Sequence, residues 1–190
     1  MPLVSPSELI KSAIANKVVS FPTDTVPALA VIPSQAELIF KLKQRQATKP
    51  LILMASNLEE LWQYVQSTTE ERKKWETIAN QYLPGALTLV LPASKQVPSA
   101  MNPLNPDSIG IRVPNHPIAR EILQQTGALA TTSANLSGQE PLIDMMQIAQ
   151  QFPDVYTLNY QVSSTNITPS TVIKWVDNDW QILRQGLITL

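Results

Sequence analysis

Cysteine is absent from the 190 residues and histidine occurs once, at His116. Thiolate nucleophiles, disulfide frameworks and Cys/His zinc sites all need residues that this chain lacks. A Ser–His hydrolase would have His116 as its one imidazole, and Pro117 follows it directly. Charge is scarce too: Asp, Glu, Lys and Arg make 15% of the chain, against about 25% in an average soluble protein. The 14 cations and 15 anions leave a net charge of −1. That balance argues against coating nucleic acid by bulk electrostatics and leaves room for a local basic patch. There are five glycines, at 85, 110, 127, 138 and 186, and none sits in a Walker or dinucleotide loop, so a nucleotide has to be held by side chains and strand-end amides. No run approaches the roughly 18 apolar residues of a membrane span. MPLVSPSELIKSAIANK has neither the basic start nor the apolar centre of a signal peptide. The expected setting is cytoplasmic, with no membrane partner.

What the chain does have is a 44% apolar share and 16 prolines, enough for one domain over residues 1–190 with sharply punctuated elements. Ser5, Pro6 and Glu8 predict a helix from about Pro6 to Asn16. Ser34 with Glu37, Asn57 with Glu60 and Thr68 with Glu71 repeat the capping-box spacing and predict helices near 35–44, 58–66 and 69–82. Further helices are expected at 117–125 and 142–151. Apolar runs at 18–21, 28–32, 51–55, 86–91, 109–113, 128–132 and 154–158 predict strands, and 171–176 with 180–184 a hairpin. Strands alternating with helices indicate α/β architecture, whereas the adjacent pairs at 18–32 and 171–184 require antiparallel members. The expectation is a three-layer α/β domain, α+β-like in its hairpins. Its twisted mixed parallel and antiparallel sheet has about seven strands flanked by helices. Pro92–Asp107 has no periodicity and exceeds a usual connection, so it reads as a flexible or functional loop.

Four segments place polar groups at strand or helix ends. In Pro22-Thr23-Asp24-Thr25, hydroxyls between two apolar strands can bind a small polar ligand; equally, Asp24 can cap its own backbone in a turn. Lys41–Lys49 holds four cations, among them Lys43 and Arg45, which can flank a polyphosphate or complement a helix C-terminus. Arg112 interrupts an apolar strand, which is costly unless it is ion-paired or meets an anionic ligand. Thr131-Thr132-Ser133-Ala134-Asn135-Leu136-Ser137-Gly138 runs a strand into hydroxyls and an amide, a ligand-binding strand end or a plain turn. The tail at 154–164, with Tyr156 and Tyr160, can either pack or cover the site.

The order and wording of these segments resemble the YrdC-domain family of threonylcarbamoyl-AMP synthases in its minimal single-domain form. The similarity runs from Val18 to Gly186 and rests on FPTDTV at 21–26, KLKQRQATKPLIL at 41–53, LPGALTLVL at 83–91, SIGIRVPNHP at 108–117, TSANLSG at 132–138, PSTVI at 169–173 and ILRQG at 182–186. The resemblance implies that L-threonine, bicarbonate and ATP, with magnesium, become threonylcarbamoyl-AMP and pyrophosphate. Downstream tRNA-modification proteins then use the product. It also implies a polar tetrad of Lys43, Arg45, Ser133 and Asn135 at the catalytic centre. Arg45, Lys49, Ser133 and Arg184 fall to ATP, and Thr25, Arg112, Thr131 and Ser170 to threonine. Where the family continues PTDTV with Tyr-Gly-Leu, this chain has Val26-Pro27-Ala28-Leu29; Gln46 replaces the usual Pro and Lys174 the usual Asp. Some members of the wider family bind RNA, so the alternative is an RNA-binding paralogue without synthase activity, holding tRNA or double-stranded RNA on the Lys41–Lys49 cations.

Overall fold

The computed structural model describes residues 3–44, 49–161 and 168–189. Most helices start where the capping chemistry puts them. Ser5 Oγ accepts the Glu8 amide at 3.3 Å to open α1 (Pro6–Ile14). Asn57 Oδ1 accepts the Glu60 amide at 3.0 Å to open α3 (Leu58–Trp62). Thr68 and Glu71 form a full reciprocal box at α4 (Thr69–Tyr82), which also holds the Glu71 carboxyl below its usual range, chiefly through the Thr68 amide. His116 Nδ1 accepts the Ala119 amide at 3.4 Å to cap α5 (Pro117–Thr126), and Asp144 caps α6 (Met145–Gln151). The exception is α2 (Glu37–Lys43). Pro33–Gln35 forms a 3-10 turn instead of a cap, so Ser34 is consumed by the turn and Ala36 occupies the N-cap with no side-chain bond.

The described strands are β1 (Val19–Phe21), β2 (Ala28–Val31), β3 (Ile52–Met54), β4 (Leu87–Pro92), β5 (Ser108–Arg112), β6 (Leu129–Ser133), β7 (Tyr156–Thr157), β8 (Thr171–Val176) and β9 (Asp179–Arg184). They form one sheet in the order β7-β1-β2-β6-β3-β5-β4-β8-β9. It is mixed, as expected. β1/β2 and β8/β9 are antiparallel hairpins, whereas β3/β5 and β4/β8 run parallel. Nine described strands stand against the expected seven or so, all on segments read as strands, and both edges are slight, β7 with two residues and β9 mostly exposed.

Strand alternation divides the interior. On β3, Leu53 belongs to a core under α2, α3 and α4, and Met54 to a second core with α1, α5 and α6. Leu87, Leu89, Ile109, Ile111, Ile173 and Trp175 all face the first core, where Trp75 meets Trp175 edge-on at 6.0 Å. Alternation therefore turns Thr88, Val90, Gly110, Val172 and Lys174 to the other face, and there they line a cavity of about 500 Å³ instead of a helix. The Pro92–Asp107 loop borders that cavity through Asn102, Leu104 and Asn105. It has a fixed path: Met101 is buried, its carbonyl accepts the Leu51 amide at 2.9 Å, and Asn102 Nδ2 reaches Ser108 Oγ at 3.1 Å. At the far edge the chain leaving β9 presses Gly186 against the segment entering β8. A Cβ on Gly186 would stand 2.3 Å from the Pro169 carbonyl oxygen and 2.4 Å from the Ser170 carbonyl carbon.

Candidate functional site

A smaller cavity, about 170 Å³, opens on the same concave face. Its floor is apolar, from Val26, Ala28, Ile52 and Met54. Its polar groups come from chain ends: Thr25 between β1 and β2, Arg112 at the end of β5, Thr131 and Ser133 on β6, Ser170 before β8 and Arg184 at the end of β9. β2 and β6 pair with Ala28 opposite Ser133, and β3 and β6 with Ile52 opposite Thr131, so register alone brings those side chains to one place.

Arg112 is buried and fully organised. Its Nε donates to the Gly85 carbonyl at 3.0 Å, Nη1 to Thr25 Oγ1 at 2.9 Å and Nη2 to Asp24 Oδ1 at 2.7 Å. Burial lowers its pKa and the Asp24 carboxylate pulls it back, which keeps a desolvated cation tolerable. Asp24 is therefore an ion-pair partner and not a cap of its own backbone. The turn is held by Thr23, whose Oγ1 accepts the Thr25 amide at 3.1 Å and donates to the Val26 carbonyl at 2.8 Å. Arg184 lies at the rim. Its Nε and Nη2 donate to the Ser170 carbonyl at 3.1 and 2.9 Å, and Nη2 also to Ser170 Oγ at 3.2 Å, while partial burial lowers its pKa. Ser170 Oγ shares a further hydrogen bond with Thr88 Oγ1 at 2.9 Å.

Ser133 and Arg184 also border a third space of about 490 Å³, with Lys49, Asn135, Ser137, Gly138 and Gln139. Beneath it lies Lys43, one of the largest fully buried side chains. Its Nζ donates to the Ser133 carbonyl and, at 3.0 Å, to Asn135 Oδ1. Ser133 Oγ reaches the same Asn135 oxygen at 2.6 Å, and Asn135 Nδ2 donates to the carbonyls of Leu136 and Gln139 at 2.9 and 2.6 Å. Two carbonyl partners for the nitrogen fix which way that amide faces. Of the residues expected from the sequence, Thr25, Arg112, Thr131, Ser170, Ser133 and Arg184 converge on one cavity. Lys49 and Asn135 line the adjoining one, and Lys43 supports both from below. Arg45 lies outside the described residues, as does the part of the 154–164 tail beyond residue 161. Tyr160 packs, meeting His116 edge-on at 5.7 Å. Sequence reasoning missed Thr23 and Asp24 as supports, the Gly85 carbonyl and Thr88. The Asp24–Arg112 pair joins residues 88 apart, and no local pattern announces such a contact.

Catalytic-type polar groups on strand ends around a concave mixed sheet define a small-molecule binding α/β protein. Residues 12–186 match the profile of the Sua5/YciO/YrdC family, described as telomere recombination, and the chain belongs to this family. A threonylcarbamoyl-AMP synthase from Idiomarina loihiensis is 36% identical over 151 residues, covering 77% of this chain and 80% of that protein. Among solved structures, P. abyssi Sua5 complexed with L-threonine superimposes with a TM-score of 0.85 at 27% identity, over 97% of this chain. This chain spans 56% of that longer protein. E. coli YciO matches with a TM-score of 0.82 at 25% identity, over 96% of this chain and 89% of its own. Among the described residues no helix is long and apolar enough to cross a membrane.

Proposed function

We propose that this protein, a single domain over residues 1–190, is a threonylcarbamoyl-AMP synthase, forming that product and pyrophosphate from L-threonine, bicarbonate and ATP. The observation that carries the reading is the convergence of two guanidinium groups and five hydroxyl-bearing residues on one small cavity beside a larger basic one. A small zwitterion fits the first space and a nucleotide the second. The names of the relatives and the threonine-bound P. abyssi Sua5 support the same assignment.

In this reading Arg112 clamps the threonine carboxylate, with Thr25, Thr131 and Ser170 around the rest of the amino acid. The threonine amine captures bicarbonate-derived carbon as a carbamate, releasing water. A carbamate oxygen attacks the α-phosphorus of ATP, and the bond to the bridging oxygen breaks to release pyrophosphate. Arg45, Lys49, Ser133 and Arg184 hold the nucleotide, and Lys43 with Asn135 keeps the Ser133 turn rigid at the reacting centre. The protein's work is positioning two reactants and balancing phosphate charge, which needs no covalent nucleophile. No group of three or more His, Asp or Glu capable of holding a metal occurs among the described residues. Magnesium enters this reading with the nucleotide substrate, whose charge it balances. A cytoplasmic setting suits a product destined for tRNA-modification proteins.

The test is to incubate the protein with ATP, magnesium, bicarbonate and each of several amino acids and to measure pyrophosphate. Threonine-dependent release is expected. Silence with every amino acid, together with salt-sensitive RNA binding, would overturn the reading in favour of an RNA-binding protein.

A further inference from the structure

We propose that Thr23 sets the hydrogen-bond polarity of the small cavity, making the Thr25 hydroxyl a pure acceptor toward whatever the cavity holds. A threonine hydroxyl owns one proton. Thr23 gives its proton to the Val26 carbonyl at 2.8 Å, an oxygen that can only accept. The 3.1 Å contact between the Thr23 and Thr25 hydroxyls must therefore carry the Thr25 proton, directed away from the cavity. On its other side Thr25 Oγ1 receives Nη1 of Arg112 at 2.9 Å, and a guanidinium can only donate. One lone pair is all that Thr25 has left.

The same polarity recurs across the cavity. Thr131 Oγ1 gives its proton to the Ile52 carbonyl at 2.9 Å, and Ser133 Oγ gives its own to Asn135 Oδ1 at 2.6 Å, the amide orientation being fixed from its other end. Three lining hydroxyls have thus lost their protons inward, while Arg112 and Arg184 are donors without any lone pair to offer. A ligand has to bring hydrogen-bond donors to these three hydroxyls and acceptors to the guanidinium groups. Given the proposed function, the carboxylate of an amino acid meets Arg112 while its N–H or O–H groups meet Thr25 and Thr131. Thr23 does not line the cavity; it is a positioning residue that acts through Thr25.

Neutron diffraction from deuterium-exchanged, ligand-free protein reads the polarity directly. The Thr25 hydroxyl deuteron is expected on the line to Thr23 Oγ1 and the Thr23 deuteron on the line to the Val26 oxygen; a Thr25 deuteron pointing into the cavity overturns the proposal. In pyrophosphate assays, Thr23→Val should raise KM for L-threonine by about three- to tenfold with a smaller change in kcat, the scale of one hydrogen bond. Thr23→Ser, which keeps the oxygen, should bring KM back to within about twofold of the original. An unchanged KM in a folded Thr23→Val variant, or no rescue by Thr23→Ser, also overturns it. If the unaltered protein does not use threonine at all, the synthase reading fails while the neutron map still decides the polarity.

Discussion

Arg112 and Arg184 both reach the small cavity, but their surroundings differ. Arg112 is 3% exposed, has a different partner for each nitrogen and has its charge cancelled by Asp24. Arg184 sits on an edge strand, bonds only to Ser170 and has no ion pair among the described residues. A cation balanced by its own carboxylate adds little net field, and its value lies in holding donors at fixed angles. An unbalanced cation at the rim supplies attraction for an incoming anion. One end of the concavity is thus built to discriminate and the other to attract.

Breaking the inner end should cost most. Arg112→Met leaves the partly buried Asp24 without its partner, and about 3 kcal/mol of stability should disappear in urea unfolding, with pyrophosphate release lost. Asp24→Asn keeps an acceptor for Nη2 but removes the countercharge; a loss of about 1–3 kcal/mol is expected, together with a higher KM for threonine. Arg184→Ala should sharpen the contrast, because the fold should lose less than about 1 kcal/mol. Its KM for ATP should instead rise about tenfold or more, given the strength of charge-assisted bonds; an equal loss of stability in the two arginine variants would erase the distinction.

The smallest effect lies at His116. Burial holds its pKa below the ordinary 6.5, against a weaker upward pull from Asp24. The folded protein thus binds this proton less readily than the unfolded chain. Its contribution is intact above about pH 6.5 and fades as pH falls below that value, when a protonated Nδ1 also stops accepting the Ala119 amide. A thermal-unfolding series from pH 7.5 to 5 should show a modest decline. His116→Asn, which preserves a capping oxygen, should flatten it.

The sequence exposes these features unequally. Helix starts with complete capping pairs, as at Thr68 and Glu71, can be located because cause and effect lie within four residues. Ser34 and Glu37 carry the same spacing and mislead, since Pro33 starts a competing 3-10 turn. The Pro92–Asp107 loop lacks periodicity and so looks slack; its order comes from a bond to Leu51 half the chain's first hundred residues away. At the site, motif resemblance identifies the groups that converge but not what supports them. Lys43 is the clearest case. A basic residue at a helix end suggests an exposed phosphate contact, whereas here it is 1% exposed and braces the Ser133–Asn135 turn.

Gly186 carries no functional group and lies outside the cavity wall, yet the backbone it presses against is that of Pro169, Ser170 and Thr171. A single methyl there would have to push Ser170, and with it the anchor of Arg184, out of place. Any variant library directed at the Arg184 end of the cavity should therefore leave this position untouched, because at 186 the smallest possible change to the chain becomes a change in cavity shape.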